Sequence, residues 1–390
     1  MTILKDFSLS TFVAGFVTVL VGFTSSGVLI FQAAQSLGAS PAEIASWIWA
    51  LGLGMGLTTL GLSLYYRMPI VTAWSTPGAA LLIGSSTGLS LAEAVGGFII
   101  SAGLITLTGF SGVFERAMRK IPISLASAML AGVLLKFGMN VFVAMQTQLA
   151  MVLGMFILYL VMRRLSPRYA VIVTLVFGIT YAAISQQLTF NLMQFQFAKP
   201  LWTTPVFSTN SLAIAIPLFI VTMASQNIPG VSVLRGSGYN VPLSPVIGWI
   251  GTANAALAPF GGYALNLAAI TAAICTGREA HENPKKRYTA AITAGFFYCL
   301  IGIFGATITS LFLAFPKELI LAIAGLALFG TIGNGLATAL SQESEREAAL
   351  ITFLVTASNV TLFGLGAAFW GLMAGLSALA IRHIRKASIV

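Results

Sequence analysis

The chain has 390 residues, of which 57% are hydrophobic and only 8% charged, whereas a soluble globular protein carries about 25% charged residues. That balance excludes a soluble enzyme or a separate soluble domain and describes a protein embedded almost entirely in lipid. The two cysteines, Cys275 and Cys299, both fall in apolar stretches, which argues against a disulfide framework or a cysteine metal site.

A membrane span needs roughly 20 apolar residues. In chain order the apolar runs predict spans at 11–34, 43–65, 68–84, 92–112, 123–145, 148–164, 169–186, 209–228, 243–259, 261–277, 288–313, 318–338, 347–364 and 366–383. The first run is too long for the core of a cleavable signal peptide. The fold class expected is an all-α polytopic membrane protein with 14 spans. With the N-terminus in the cytoplasm, 17 of the 20 Lys and Arg fall on the inner side. Lys199 and Lys317 fall outside, and Lys136 lies within a span. Such an asymmetry is an orientation signal and places both termini in the cytoplasm. The net charge of +10 therefore needs no nucleic acid partner.

Three span starts read as Ser-x-x-Glu capping boxes: Ser40 to Glu43, Ser90 to Glu93 and Ser344 to Glu347. Glu43 and Glu93 are also the acids nearest the membrane interior, so a proton-carrying role is the alternative to capping.

Two spans look broken. Span three reads Thr72-Ala-Trp-Ser75 and then Thr76-Pro77-Gly78. Span ten reads Gly261-Gly-Tyr263-Ala-Leu and then Asn266-Leu267-Ala268. Ser75 and Asn266 are N-cap types, and Pro77 fits a first helical turn. Each span is expected to be half extended and half helical, which is tolerated at membrane depth only where backbone is buried or lines a cavity. Seven spans apart and opposite in direction, the pair suggests two inverted seven-span repeats, about 8–186 and 209–383. Two helix starts facing one another would form an anion site. A proline kink beside an ordinary glycine-rich span is the plainer alternative.

The stretch from Thr72 to Leu81, Met223-Ala-Ser-Gln-Asn-Ile-Pro-Gly230 and Ala268-Ala-Ile-Thr-Ala-Ala-Ile-Cys275 resemble the bacterial benzoate transporter family over essentially the whole chain. Arg168-Tyr-Ala-Val171 and Leu354-Val-Thr-Ala-Ser358 agree with it. The resemblance implies a benzoate/proton symporter in the bacterial inner membrane, similar in fold to uracil permeases and sulfate-type transporters. It implies a core domain (about 8–112 and 209–313) and a gate domain (about 123–186 and 318–383), with substrate held between spans three and ten.

On that reading the binding residues are Ser25, Ser26, Trp74, Ser75, Thr76, Pro77, Gly78, Gln226, Asn227, Tyr263, Asn266, Leu267 and Ala268, with Ala79 also near the ring. Each has a plainer role: a back-bonded serine for Ser25 and Ser26, a polar helix end at Pro229-Gly230 for Gln226 and Asn227, an interfacial ring for Tyr263, helix packing for Trp74. Gln226 stands where related nucleobase permeases carry an acid, which suits an anionic substrate and leaves the proton-coupling group unassigned. Lys136, basic at membrane depth, is a candidate for attracting the anion or titrating. The expected partners are a small aromatic carboxylate, protons and the lipid bilayer, with a second copy of the chain as an optional one; no cofactor, metal or ATP is expected. A nucleobase transporter on the same fold, an anion channel and, more distantly, a membrane-embedded enzyme are the rival functions.

Overall fold

The computed structural model describes residues 3–84, 89–166, 169–188, 197–313, 315–360, 362 and 366–387. Helices account for nearly all of it. The chain opens with α1 (Leu9–Ser36), α2 (Pro41–Tyr66), α3 (Thr76–Gly84) and α4 (Leu91–Phe110), then α5 (Val113–Arg119), α6 (Ile123–Ala144), α7 (Leu149–Leu165) and α8 (Ala170–Ile184). It continues with α9 (Thr209–Thr222), α10 (Ile228–Gly236), α11 (Leu243–Leu257), α12 (Ile270–Thr276) and α13 (Tyr288–Leu313). It closes with α14 (Lys317–Ala339), α15 (Arg346–Ala357) and α16 (Ala367–Ala387). Among the described residues, six helices are long and apolar enough to cross a membrane, and three further apolar helices are shorter.

Capping follows the sequence in two of three places. Glu43 N–H donates to Ser40 Oγ at 3.4 Å, and Ser40 N–H donates back to Glu43 at 2.7 Å. Ser90 and Glu93 repeat the exchange. Glu93 Oε1 also accepts from Ser208 and Asn210 at the start of α9, so this carboxylate is occupied as a cap and a tie between helices. The Ser344 to Glu347 box does not form. The helix there begins one residue later than a Ser344 cap requires, with Glu345 at the cap position and no side-chain bond.

The helices sort by packing into two sets. In the first, α1 lies on α13, α13 on α2, α2 on α11, α11 on α4 and α4 on α9, with α3 against α1 and α9, and α12 against α1 and α13, joining α10 to the set. In the second, α6 lies on α14 and α15, α15 on α16, and α7 on α8 and α14. The sets meet where α10 crosses α6 and where α1 and α12 reach α14. Small residues bring backbones together as lipid-embedded helices require. A Cβ on Gly52 of α2 would stand 2.5 Å from the Gly302 nitrogen of α13.

The first set contains two short extended pieces. β1 (Thr72–Ala73) and β2 (Asn266–Leu267) pair antiparallel, with Thr72 opposite Leu267 and Ala73 opposite Asn266. Residues nearly two hundred positions apart thus form the sheet at the heart of the molecule.

Candidate functional site

The two breaks demand an account of every backbone group, because lipid offers no water to solvate them. Side chains from neighbouring helices supply it. Ser63 of α2 donates to Ile70 O at 2.9 Å and accepts from Ile70 N–H at 3.2 Å. Thr59, one turn earlier, accepts from Thr72 N–H at 3.0 Å. Asn254 of α11 donates to Leu265 O at 2.9 Å and accepts from Leu265 N–H at 2.7 Å. Asn227 Oδ1 accepts from Leu267 N–H at 2.9 Å, and Ala268 N–H reaches across to Val71 O at 2.9 Å.

Span three breaks as its residues suggest. Ser75 is the N-cap of α3: its Oγ accepts from Gly78 N–H at 3.0 Å, and its carbonyl accepts from Ala79 N–H at 2.9 Å. Thr76 and Pro77 occupy the first turn and remain partly accessible, while Ser75 and Gly78 are buried. Just before the cap, Trp74 is buried with its ring 5.8 Å from Phe23 of α1, edge to face. Trp74 Nε1 donates to Ser26 Oγ at 2.8 Å, and Ser26 donates to Gly22 O at 3.1 Å. Ser26 is therefore both back-bonded and the group that orients the indole. The backbone of Ser25 lies in α1; its side chain falls outside the described residues.

Span ten departs from expectation. Asn266 is not an N-cap. It belongs to β2, and its Nδ2 closes a local turn on Ala264 O at 2.9 Å, where Ala264 has φ of +46°. The helix α12 begins at Ile270 after Ala269, with no side-chain cap. The reason is the strand pairing, which keeps Asn266 and Leu267 extended. Asn266 Oδ1 is buried without a hydrogen-bond partner among the described residues.

Pro229-Gly230 does not end a helix. Met223–Asn227 form a single π-helical turn, in which Ile228 N–H reaches Met223 O, and the chain continues as α10. The wider turn accommodates Pro229, which has no N–H to offer. Asn227 is buried and committed to Leu267 and to Met223 Sδ. Gln226 is half-buried, and its side-chain amide has no hydrogen-bond partner among the described residues. Its neighbour Ser225 accepts from Gly366 N–H at 3.0 Å, at the edge of α16 in the other helix set.

Tyr263 is not at an interface. It is fully buried, with ring centroids 5.5 Å from Trp47 and 5.3 Å from Phe98, and its hydroxyl has no partner among the described residues. It packs the aromatic core under the break. Leu267 and Ala268 are buried, and Leu267 packs against Gly230, where a Cβ would stand 2.6 Å from the Leu267 Cβ. Lys136 does not turn toward the breaks. It lies on the exposed face of α6, without an ion-pair partner among the described residues.

The structure bonds Trp74 to Ser26 and Leu267 to Asn227, and the β1–β2 pairing sets the stretch leading to Trp74 and Ser75 beside Asn266 and Leu267. It keeps Thr76, Pro77 and Gln226 partly open and sets Lys136 apart. Thr59, Ser63 and Asn254 escape a motif-based reading, although Thr59 and Ser63, one helical turn apart, were a visible polar stripe on an apolar span.

The comparisons with known proteins agree with this architecture. A family model described as "Benzoate membrane transport protein" matches residues 5–381. Inner membrane protein YdcO of Escherichia coli (strain K12) is 48% identical over 366 residues, 94% of each chain. The benzoate membrane transport protein of Acinetobacter baylyi is 40% identical over 388 residues, covering 99% of this chain and 98% of that one. Among solved structures, SLC26A9 superposes with a TM-score of 0.51 at 11% identity, covering 98% of this chain and 66% of that longer one. That likeness is one of fold. From residue 5 to residue 381, then, this chain is a multi-pass membrane transporter and belongs to the benzoate membrane transport protein family.

Proposed function

We propose that the protein is a secondary transporter that imports benzoate or a similar aromatic carboxylate by proton symport across a bacterial inner membrane. The observation that carries this reading is the start of α3 beside a buried indole. Helix starts attract anions through free N–H groups and the helix dipole. There, Thr76 would offer its N–H beside the ring of Trp74, which Ser26 holds in place, while Gly78 N–H is taken by the Ser75 cap. A flat ring carrying a carboxylate needs those two features side by side. Gln226, whose side-chain amide has no partner among the described residues, would donate to the carboxylate. Ala79 and Ala268 would leave room for the ring, and no acid stands among these residues to repel it.

On this reading the first helix set is the moving core and the second the gate, as fourteen spans in two inverted repeats with both termini cytoplasmic. The β1–β2 ladder would travel with the core and carry the site past α6 and α16.

The test is uptake of labelled benzoate by proteoliposomes, with initial rates corrected for protein-free vesicles because benzoic acid itself crosses lipid. The expected result is saturable uptake, accelerated by an inward proton gradient and suppressed by excess unlabelled benzoate. Uptake that does not saturate would favour a channel. Uptake indifferent to both the gradient and the competitor would reject the symporter.

A further inference from the structure

The chain has ten acidic residues, and one of them is enclosed where the two helix sets meet. Glu279 lies in the turn that follows α12. The residue keeps some accessible surface, but its Oε2 is sealed and has no hydrogen-bond partner among the described residues. Its carboxyl faces α14 at Gly330, where a Cβ would collide with it. The next residue of α14, Thr331, is also buried with its hydroxyl unpartnered. A small cleft beside Glu279 is lined by Ser10 and Val13 of α1, Ile274 of α12, Val171 of α8 and Ala327 of α14. Both helix sets therefore close on one carboxyl.

The charged and titratable groups facing Glu279 are Arg163 and Tyr159 of α7, and Arg278 and Arg287 of its own loop. None forms an ion pair with it among the described residues. Arg163 donates to the Tyr159 hydroxyl at 3.3 Å. Arg287 caps α12, donating to Thr276 O at 2.8 Å and His281 O at 2.7 Å. A largely sealed carboxylate with no side-chain partner among the described residues, only its own backbone N–H, is costly, and such a group tends to hold its proton instead. Burial pushes the Glu279 carboxyl up from its ordinary range, opposed by its own backbone N–H and by Arg163, Arg287 and Arg278.

We propose that Glu279 is the proton-carrying group that couples the two helix sets: neutral while α14 seals it, ionised when the first set slides away. On opening inward, the proton passes from the carboxyl to cytoplasmic water; when the first set has returned outward, a proton from the outer compartment reloads the carboxyl, so each cycle moves one proton inward. The direction follows from linkage. A carboxyl raised in the sealed state favours sealing at low pH, and that preference is lost as pH rises through the raised value. Glutamine mimics the protonated acid, so it would let the sets close but would remove the proton requirement.

This inference rests on the transport reading above, and one experiment separates their failures. Wild type, E279Q and E279D are reconstituted and assayed in two modes, with rates corrected for protein-free vesicles. In exchange mode benzoate is present on both sides, and no net proton movement is needed. In net mode a pH gradient drives uptake, and one coupled proton supplies about a tenfold driving ratio per pH unit. E279Q should keep exchange within about twofold of wild type while losing all stimulation by the gradient. E279D should keep both modes, with the pH midpoint displaced. Wild type that exchanges no benzoate overturns the transport reading and this inference with it. E279Q stimulated as strongly as wild type overturns this inference alone, as does equal loss of both modes, which would make Glu279 structural. Should E279Q not be recovered folded, E279D decides: a displaced midpoint supports the role, and an unchanged pH profile rejects it.

Discussion

Asn254 grips Leu265 with both ends of its amide, donating to the carbonyl at 2.9 Å and accepting from the N–H at 2.7 Å. All these groups are buried. Asn254→Ala leaves two backbone groups unsatisfied, at about 1–3 kcal/mol each. The expected outcome is a lower melting temperature in detergent and loss of transport. Asn254→Asp keeps the acceptor and loses the donor, so it should fall between wild type and the alanine variant in the same thermal scan.

Trp74 and Ser26 make a milder test. Ser26→Ala and Trp74→Phe each remove the 2.8 Å hydrogen bond while leaving a ring in place. The bond contributes about 1 kcal/mol, which is roughly fivefold in affinity. Both variants should raise the apparent KM for benzoate by that factor and leave folding intact. Trp74→Ala, which also removes the ring, should do more harm. Equal kinetics for all three would detach Trp74 from substrate.

Gln226 is the most direct probe of the site. A neutral amide donating to a carboxylate is worth about 1.5–3 kcal/mol, so Gln226→Ala should raise KM roughly 10- to 150-fold. Gln226→Glu places a negative charge against an anionic substrate and should abolish uptake. Saturation kinetics that match wild type would move the site elsewhere.

Acid sensitivity has a separate seat at one end of the first set, beside α5. Glu115 accepts from the Ser244 hydroxyl and from its N–H at 2.8 Å, and pairs with Arg119 at 2.6 Å. The Ser244 hydroxyl foremost holds the Glu115 carboxyl below its ordinary range, despite partial burial. A depressed carboxyl stabilises the fold above its unfolded value and loses that contribution as pH falls through the folded one. Thermal scans of wild type should therefore drop below about pH 4.5. E115Q should start lower at neutral pH and lose less on acidification.

Local signals in the chain were readable; distant ones were not. Ser75 announced its cap because capping depends on a residue and the three that follow it, and the Ser40 and Ser90 boxes were legible for the same reason. Asn266 looked like a second cap, yet its fate was set by Val71 to Ala73, almost two hundred residues earlier. Pro229 looked like a helix end because an α-helix cannot hold it there; a π turn can. Lys136 was singled out by its depth, but the face of α6 on which it lies depends on α14 and α15, which are far along the chain. Glu279 drew no notice in a loop of mixed charges. Its enclosure arises only when α14 arrives at Gly330.

The ladder between β1 and β2 ties the walls of the two breaks together, and Ala268 N–H extends it to Val71. Neither wall can shift without the other. On the proposed transport reading, a pocket built on such a ladder would keep one shape whichever compartment it opened to, and so bind equally well on both sides. Direction would then be no property of the pocket: such a carrier would be a reversible shuttle, and inverting the gradients would turn import into export.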